Sequence, residues 1–396
     1  ISKMPKYLLL FGGASYDYKN RLTNNSNYVP VFESSQSLVN LDAYSSDDFF
    51  GFLDDSENIE NYQRINALDI GVGRLPARSA DDADAMVAKI TNYSSAATLG
   101  PWRISTTMVA DKSCVGDMVY DDAGHHMDDA DSMASTVSVS GEGIYNQEKI
   151  YVDALPINST PAGPRCPIAN AALNQQIYNG TFLVNYNGHG NPTVWSSERI
   201  LTSDDFSKWD NMNKLPFMVT ATCDFGQFDH PQFVSSAEQM VVRKNGGILS
   251  VLTTTEAVYA GFNHELNVQY LKFQFTRNAD KTWNTFGEAA RAGKNATYFL
   301  STDSQELTNF RKFSLLGDPA VTPDFPENNI VVDSIIDGFT LQPADTVKAL
   351  GSYKINGSVK DVDGNLLTVL NGTRYVAFYD KPRNISTISG CREVFA

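Results

Sequence analysis

The sequence predicts an α/β protein: a mainly parallel sheet with helices on both faces, followed by the start of an Ig-like β-sandwich. Three observations lead there. From Tyr7 to about Ala320, short apolar runs alternate with segments whose apolar residues recur at helical spacing. Strands joined through helices pair in parallel and are covered on both faces. After Pro319 the texture changes to short β-type runs, with Pro323 and Pro326 punctuating a linker. The expected division is residues 1–99 and 100–323 as two α/β subdomains, and 324–396 as a sandwich left incomplete at Ala396.

The elements follow in order. Tyr7–Phe11 is a buried strand turned by Gly12-Gly13. Leu68–Gly73 is a strand that Pro76 keeps from extending into a central ladder. Ser79 reads as a helix N-cap, with Asp81 and Asp82 in the first turn, where the helix dipole favours negative charge. Further strands are expected at Ile104–Ala110, Lys149–Val152, Phe182–Tyr186, Phe217–Ala221 and Ile248–Leu252. Helices are expected at Asp122–Thr136, Ile168–Tyr178, Ser235–Lys244, Leu266–Phe275 and Phe286–Phe299. In the tail, Ile330–Val332, Thr346–Lys348, Tyr353–Ile355 and Tyr375–Phe378 read as strands, with Asp363-Gly364-Asn365 as a turn.

The chain has 396 residues, of which 42% are hydrophobic, enough for a sizeable core. Its formal net charge of −15 argues against a nucleic-acid binder, which needs a basic footprint. No stretch approaches the roughly 20 apolar residues of a membrane span. The opening at Ile1, directly before a strand, reads as an excised piece of a longer protein. The cysteines are Cys114, Cys166, Cys223 and Cys391, with no CxxC pair and no zinc-type spacing to histidine. Cys114, Cys166 and Cys391 read as isolated thiols or one incidental bridge.

The chemistry centres on two strand ends. Leu183-Val184-Asn185-Tyr186 runs into Asn187-Gly188-His189-Gly190, and the next strand in sequence ends Thr220-Ala221-Thr222-Cys223. Ligands of open parallel sheets gather at the carboxyl ends of strands. A cysteine beside a histidine suits nucleophilic acyl transfer: a thiolate attacks and an imidazole manages the proton. The N–H groups of Gly190 and Cys223 are candidates for stabilising the oxyanion. The competing reading of the bare pattern is a turn histidine and a core thiol.

LVNYNGHG followed by LPFMVTATC resembles the caspase-haemoglobinase group, and within it the gingipain family (C25) of bacterial cysteine peptidases. FGGASYDY, SSDDFFGFLDD, LDIGVGRLPA and GPWR before the pair, and FDHP, NGGILSVLTTTEAVYAG and LLGDPA after it, resemble the sortase branch of that family. This branch serves the type IX secretion system of Bacteroidetes. The match runs from about Tyr7 to Ala320, and INGSVKD with FYDK resembles the start of the sandwich that follows the peptidase unit. The opening motif departs from the pattern at Gly13, where an acid is expected. The resemblance makes residues 100–323 the catalytic caspase-like subdomain, His189 and Cys223 the catalytic pair, and Gly190 an oxyanion donor. It also implies a location at the outer membrane, on the cell surface. Cargo with a C-terminal sorting domain would be cleaved through a thioester and joined to an anionic lipopolysaccharide amine, alongside other type IX components.

Several weaker candidates complete the reading. Asp117 and Asp121, in the loop that begins at Asp111, are candidates to orient His189; a solvated acidic loop is the alternative. No metal site is expected. Adjacent His125 and His126 point about 100° apart on a helix and read as surface or packing. His230 and His264 read as structural. Asp47-Asp48 and Asp54-Asp55 read as a solvated acidic loop, with a structural calcium, known among gingipains, as the alternative. Trp195, Phe225 and Phe228 are candidates to line the substrate cleft or to belong to the core. Two functions compete with sortase: a hydrolytic gingipain-like endopeptidase, and a non-catalytic adhesion or scaffold protein.

Overall fold

The computed structural model describes residues 4–395 apart from 23, 24, 26, 37, 38, 40, 62–65, 114–124, 302, 371–375, 377, 379–383 and 389–392. The chain divides into two compact units. The larger holds residues 1–278, 282–323 and 381–396, and the smaller 279–281 and 324–380.

The larger unit is organised on one eight-stranded sheet. Its strands are β1 (Tyr7–Phe11), β2 (Gly71–Leu75), β3 (Ser105–Ala110), β4 (Asn146–Tyr151), β5 (Leu183–Asn187), β6 (Phe217–Ala221), β7 (Ser250–Thr254) and β8 (Phe313–Leu316). They lie side by side in the order β1-β2-β8-β7-β6-β5-β3-β4. The β7–β8 pair is antiparallel and every other neighbouring pair is parallel. Among the described residues the helices longer than one turn are α1 (Ala80–Tyr93), α2 (His126–Ser140), α3 (Pro167–Asn179), α4 (Ser236–Val242), α5 (Ala260–Phe275), α6 (Phe286–Leu300) and α7 (Ser304–Arg311). The fold is therefore the α/β architecture the alternation predicts.

Local chemistry explains the helix ends. The Ser79 hydroxyl accepts the Asp82 N–H at 3.1 Å and starts α1. Pro167 opens α3, where a missing N–H costs nothing, and Gly180 closes it at φ 98°. Ser235 and Glu238 cap α4 reciprocally. The central strands β5, β6 and β7 are buried at every position. On one face Phe182, Phe217, Phe275 and Phe286 form an aromatic cluster with ring centroids 5.2–6.3 Å apart. A second cluster includes Val184, Met218, Leu173 and Met240.

The structure differs from the sequence expectation in several places. The second strand is shifted, covering Gly71–Leu75 rather than Leu68–Gly73. The helix expected at Asp122 begins at His126 among the described residues, and α5 begins at Ala260. The short α7 and β8 were not anticipated; four residues of FSLL carry too little periodicity to declare a strand.

Asp47 and Asp48 are a correction of larger consequence. They are buried rather than solvated, and each is bound to cations. Asp47 accepts two bonds from Arg74 at 2.7 and 2.8 Å. Asp48 lies 2.6 Å from Lys294 and 3.5 Å from Arg311. Asp54 and Asp55 are exposed.

In the smaller unit, β9 (Asn329–Asp337) pairs antiparallel with β10 (Tyr353–Lys360), with a register shift between Val332 and Ser334. Thr346–Lys348 is not a strand: all three residues are exposed, so no buried face holds them in a sheet. Asp361–Asn365 forms the expected turn, with Gly364 at φ 82°. The run at Tyr375–Phe378 lies largely outside the described residues. No helix of the described residues is long and apolar enough to cross a membrane.

Candidate active site

Register builds the site. Parallel pairing places Ala110 of β3 beside Asn187 of β5, and Asn187 beside Ala221 of β6. Adjacent strands lie about 4.8 Å apart, so the residues leaving these ends are brought together at one edge. They are Asp111, the turn Gly188-His189-Gly190, and Thr222-Cys223.

The histidine turn is held from several sides. The His189 carbonyl accepts the Tyr186 hydroxyl at 2.6 Å and the Ser196 N–H at 2.9 Å. The His189 N–H donates to the Asp111 carboxylate at 3.1 Å. Below it, the Tyr186 ring stacks on fully buried Trp195, with centroids 4.3 Å apart. The His189 ring meets the His126 ring edge to face at 5.1 Å. His126, the first residue of α2, is buried.

Both flanking glycines are steric requirements. A Cβ on Gly188 would stand 2.3 Å from the Asp111 Cβ, and one on Gly190 would stand 2.5 Å from the Thr222 Oγ1. Gly190 faces Trp195 across a short antiparallel ribbon. The neighbouring Ser196 N–H to His189 carbonyl bond makes Gly190 and Trp195 a non-hydrogen-bonded pair, so this ladder does not use the Gly190 N–H. Gly190→Ala is expected to push the histidine turn away from the Cys223 strand and lower kcat about 100-fold. Adding Thr222→Ala, which removes the obstructing atoms, should restore part of that rate. Steady-state kinetics with the single and double variants tests this, and an unimpaired single variant would refute it.

Cys223 is half-buried and follows the end of β6. Its Sγ lies 3.5 Å from the Val258 nitrogen and 3.7 Å from the Val258 oxygen. The next residue, Asp224, has a left-handed backbone at φ 57°, uncommon for a residue with a side chain and a mark of a tight, constrained turn. Cys223 and His189 line one cleft of about 500 Å³, together with His126, Thr222, Val258 and Tyr259.

Asp111 is the acid in contact with the histidine turn. It is 2% exposed, and burial pushes its carboxyl up to about 6. The Ser196 hydroxyl lies 2.6 Å from Asp111 and 2.7 Å from buried Glu198. Asp117, Asp121, Cys114 and Cys391 lie outside the described residues. Asp111 follows strand β3 as His189 follows β5, so the strand-end rule that found the histidine also points to it.

The remaining candidates fall as follows. Trp195, Phe225 and Phe228 are fully buried core, not cleft lining. His230 stacks on Phe233 with centroids 3.8 Å apart, and His264 faces Asp129 at 2.8 Å. His125 is exposed, whereas His126 is a packing contact of the site itself. Among the described residues no group of three or more His, Cys, Asp or Glu is placed to hold a metal ion.

The chain is similar to several solved structures. The Arg-specific cysteine proteinase gingipain R (RgpB) superposes with a TM-score of 0.61 at 18% identity, over 83% of this chain and 67% of that one. The complex of the RgpB pro- and mature domains from Porphyromonas gingivalis gives 0.59 at 16% identity, over 89% of this chain and 82% of that one. Dimeric latent PorU from Porphyromonas gingivalis is 22% identical over 92% of this chain but only 27% of that one, with a TM-score of 0.40. No curated protein matches the sequence. The fold is thus the caspase-like fold of the gingipains. The profile of peptidase family C25 matches residues 2–324, and the chain belongs to that family of cysteine peptidases.

Proposed function

We propose that the chain is a PorU-type sortase with Cys223 as nucleophile and His189 as its acid–base partner. The observation that carries the pairing is the single cleft lined by both residues, at the ends of neighbouring parallel strands. In this reading the imidazole takes the thiol proton and the thiolate attacks the cargo carbonyl. The N–H groups of Gly190 and Cys223 receive the developing oxyanion. His189 returns the proton to the departing amine, leaving a thioester on Cys223. An amine of an anionic lipopolysaccharide then resolves the thioester, joining the cargo to it. The cargo's C-terminal sorting domain is the released part. The place of action is the cell surface at the outer membrane, with other type IX components, and residues 324–396 begin an Ig-like sandwich.

The likeness to RgpB favours a second reading, hydrolysis, in which water resolves the same thioester. The presence of both His189 and Cys223 in one cleft speaks against a non-catalytic adhesion protein. The experiment incubates the whole chain with cargo bearing its sorting domain and a small amine, and weighs the products. The expected product is cargo whose new C-terminus carries the amine mass. A free carboxylate alone would favour the hydrolytic endopeptidase, and intact cargo would reject both.

A further inference from the structure

We propose that the cleft on the Gly190 side of His189 is a subsite for an acidic residue in the peptide segment released by the cut. The inference rests on the peptidase reading above and names a substrate feature of the same site.

This second cleft, of about 320 Å³, is lined by residues including Arg165, His189, Gly190, Asn191 and Arg199. It shares His189 with the cleft that holds Cys223, but Cys223 does not line it. In thiol catalysis the acyl half of the substrate is tethered at the sulfur, and the imidazole hands its proton to the leaving amine. A cleft that continues from the histidine without the cysteine is therefore placed for the leaving half.

Its chemistry is cationic. Two arginines, Arg165 and Arg199, are among its lining residues in a chain of formal net charge −15, and no acidic residue is. Arg165 donates to the carbonyls of Pro164 and Ala162 at 2.5 and 2.8 Å. Among the described residues neither Arg165 nor Arg199 forms an ion pair with a carboxylate. The nearby carboxylates Asp111 and Glu198 are buried and bonded to Ser196. The turn that carries Arg199 is also fixed. Arg199 has φ 56°, an uncommon conformation for a residue with a side chain. It is held by its N–H bond to the Ser196 carbonyl at 3.2 Å and by the Ile200 N–H bond to the Trp195 carbonyl at 3.1 Å. The Cys166 N–H donates to the Glu198 carbonyl at 3.0 Å, which ties the segment of Arg165 to the same turn. Two guanidinium groups on linked backbone make a receptor for a carboxylate, which they recognise by paired N–H bonds.

The test uses the whole chain and a peptide library randomised at every position, read by mass spectrometry. Asp and Glu should exceed Asn and Gln about tenfold at one of the first two positions after the cut. Arg165→Gln with Arg199→Gln should erase that preference while leaving the residues selected before the cut unchanged. A merely structural role would not separate the two sides. No acidic preference in the parent, or one that survives both substitutions, overturns the proposal. A preference for anionic amines confined to the transfer step assigns the cleft to the acceptor and also overturns it. Labelling of Cys223 by a peptidyl chloromethyl ketone tells the two failures apart. Labelling with an indifferent leaving segment rejects the subsite alone, whereas neither labelling nor cleavage rejects the peptidase reading as well.

Discussion

Cys223→Ala is expected to abolish peptide cleavage, lowering kcat/KM by about 10⁴-fold or more, with an unchanged melting temperature. The sulfur is only half-buried, and its contacts with the Val258 nitrogen and oxygen are long, so its loss leaves a small gap. His189→Ala should cost a similar factor, because a thiol without its base and a base without its thiol are equally idle. The double variant should be little worse than either single one, since residues that act as a unit are not additive. Steady-state rates and thermal melts of the three variants provide the measurement. A Cys223→Ala protein that retains a tenth of parental activity would sink the assignment.

Arg74→Met is expected to destabilise the larger unit by about 3–5 kcal/mol, the usual consequence of removing one partner of a buried ion pair. Arg74 is fully buried. It donates to both Asp47 oxygens, to the Gly12 and Val29 carbonyls at 2.8 and 3.0 Å, and to the Pro30 carbonyl at 2.9 Å. Its guanidinium also stands 4.9 Å from the centroid of the Phe228 ring. Without it, Asp47 keeps only the weaker attraction of Lys294 against the cost of its burial. Burial already raises the Asp47 pKa, and Arg74 opposes that rise. In the variant the pKa rises further, so the protonated form is favoured in the folded state. The stability of the variant should therefore fall as pH rises through that folded-state value, and its deficit against the parent should be smaller at pH 5 than at pH 8. Adding Asp47→Leu should recover part of the loss. Urea denaturation at the two pH values measures all of this, and a loss below about 1 kcal/mol would place the pair outside the structural core.

What the sequence by itself determined is local. Strand and helix alternate visibly because burial on both faces writes continuous apolar runs, and the caps at Ser79 and Ser235 bond to N–H groups three residues on. The strand-end positions of His189 and Cys223 were legible for the same reason: each follows an apolar run that ends in a turn. Only the tertiary structure decided which strand ends meet. Asp111 and His189 are 78 positions apart and touch because β3 pairs with β5 in one register. Packing likewise chose between the two readings of His126, surface or packing contact, by burying it beside His189, and turned the acidic run Asp47-Asp48 into buried charge held by Arg74, Lys294 and Arg311. Register and charge pairing are long-range choices, set by the order in which distant segments lie side by side, and no window along the chain contains both partners.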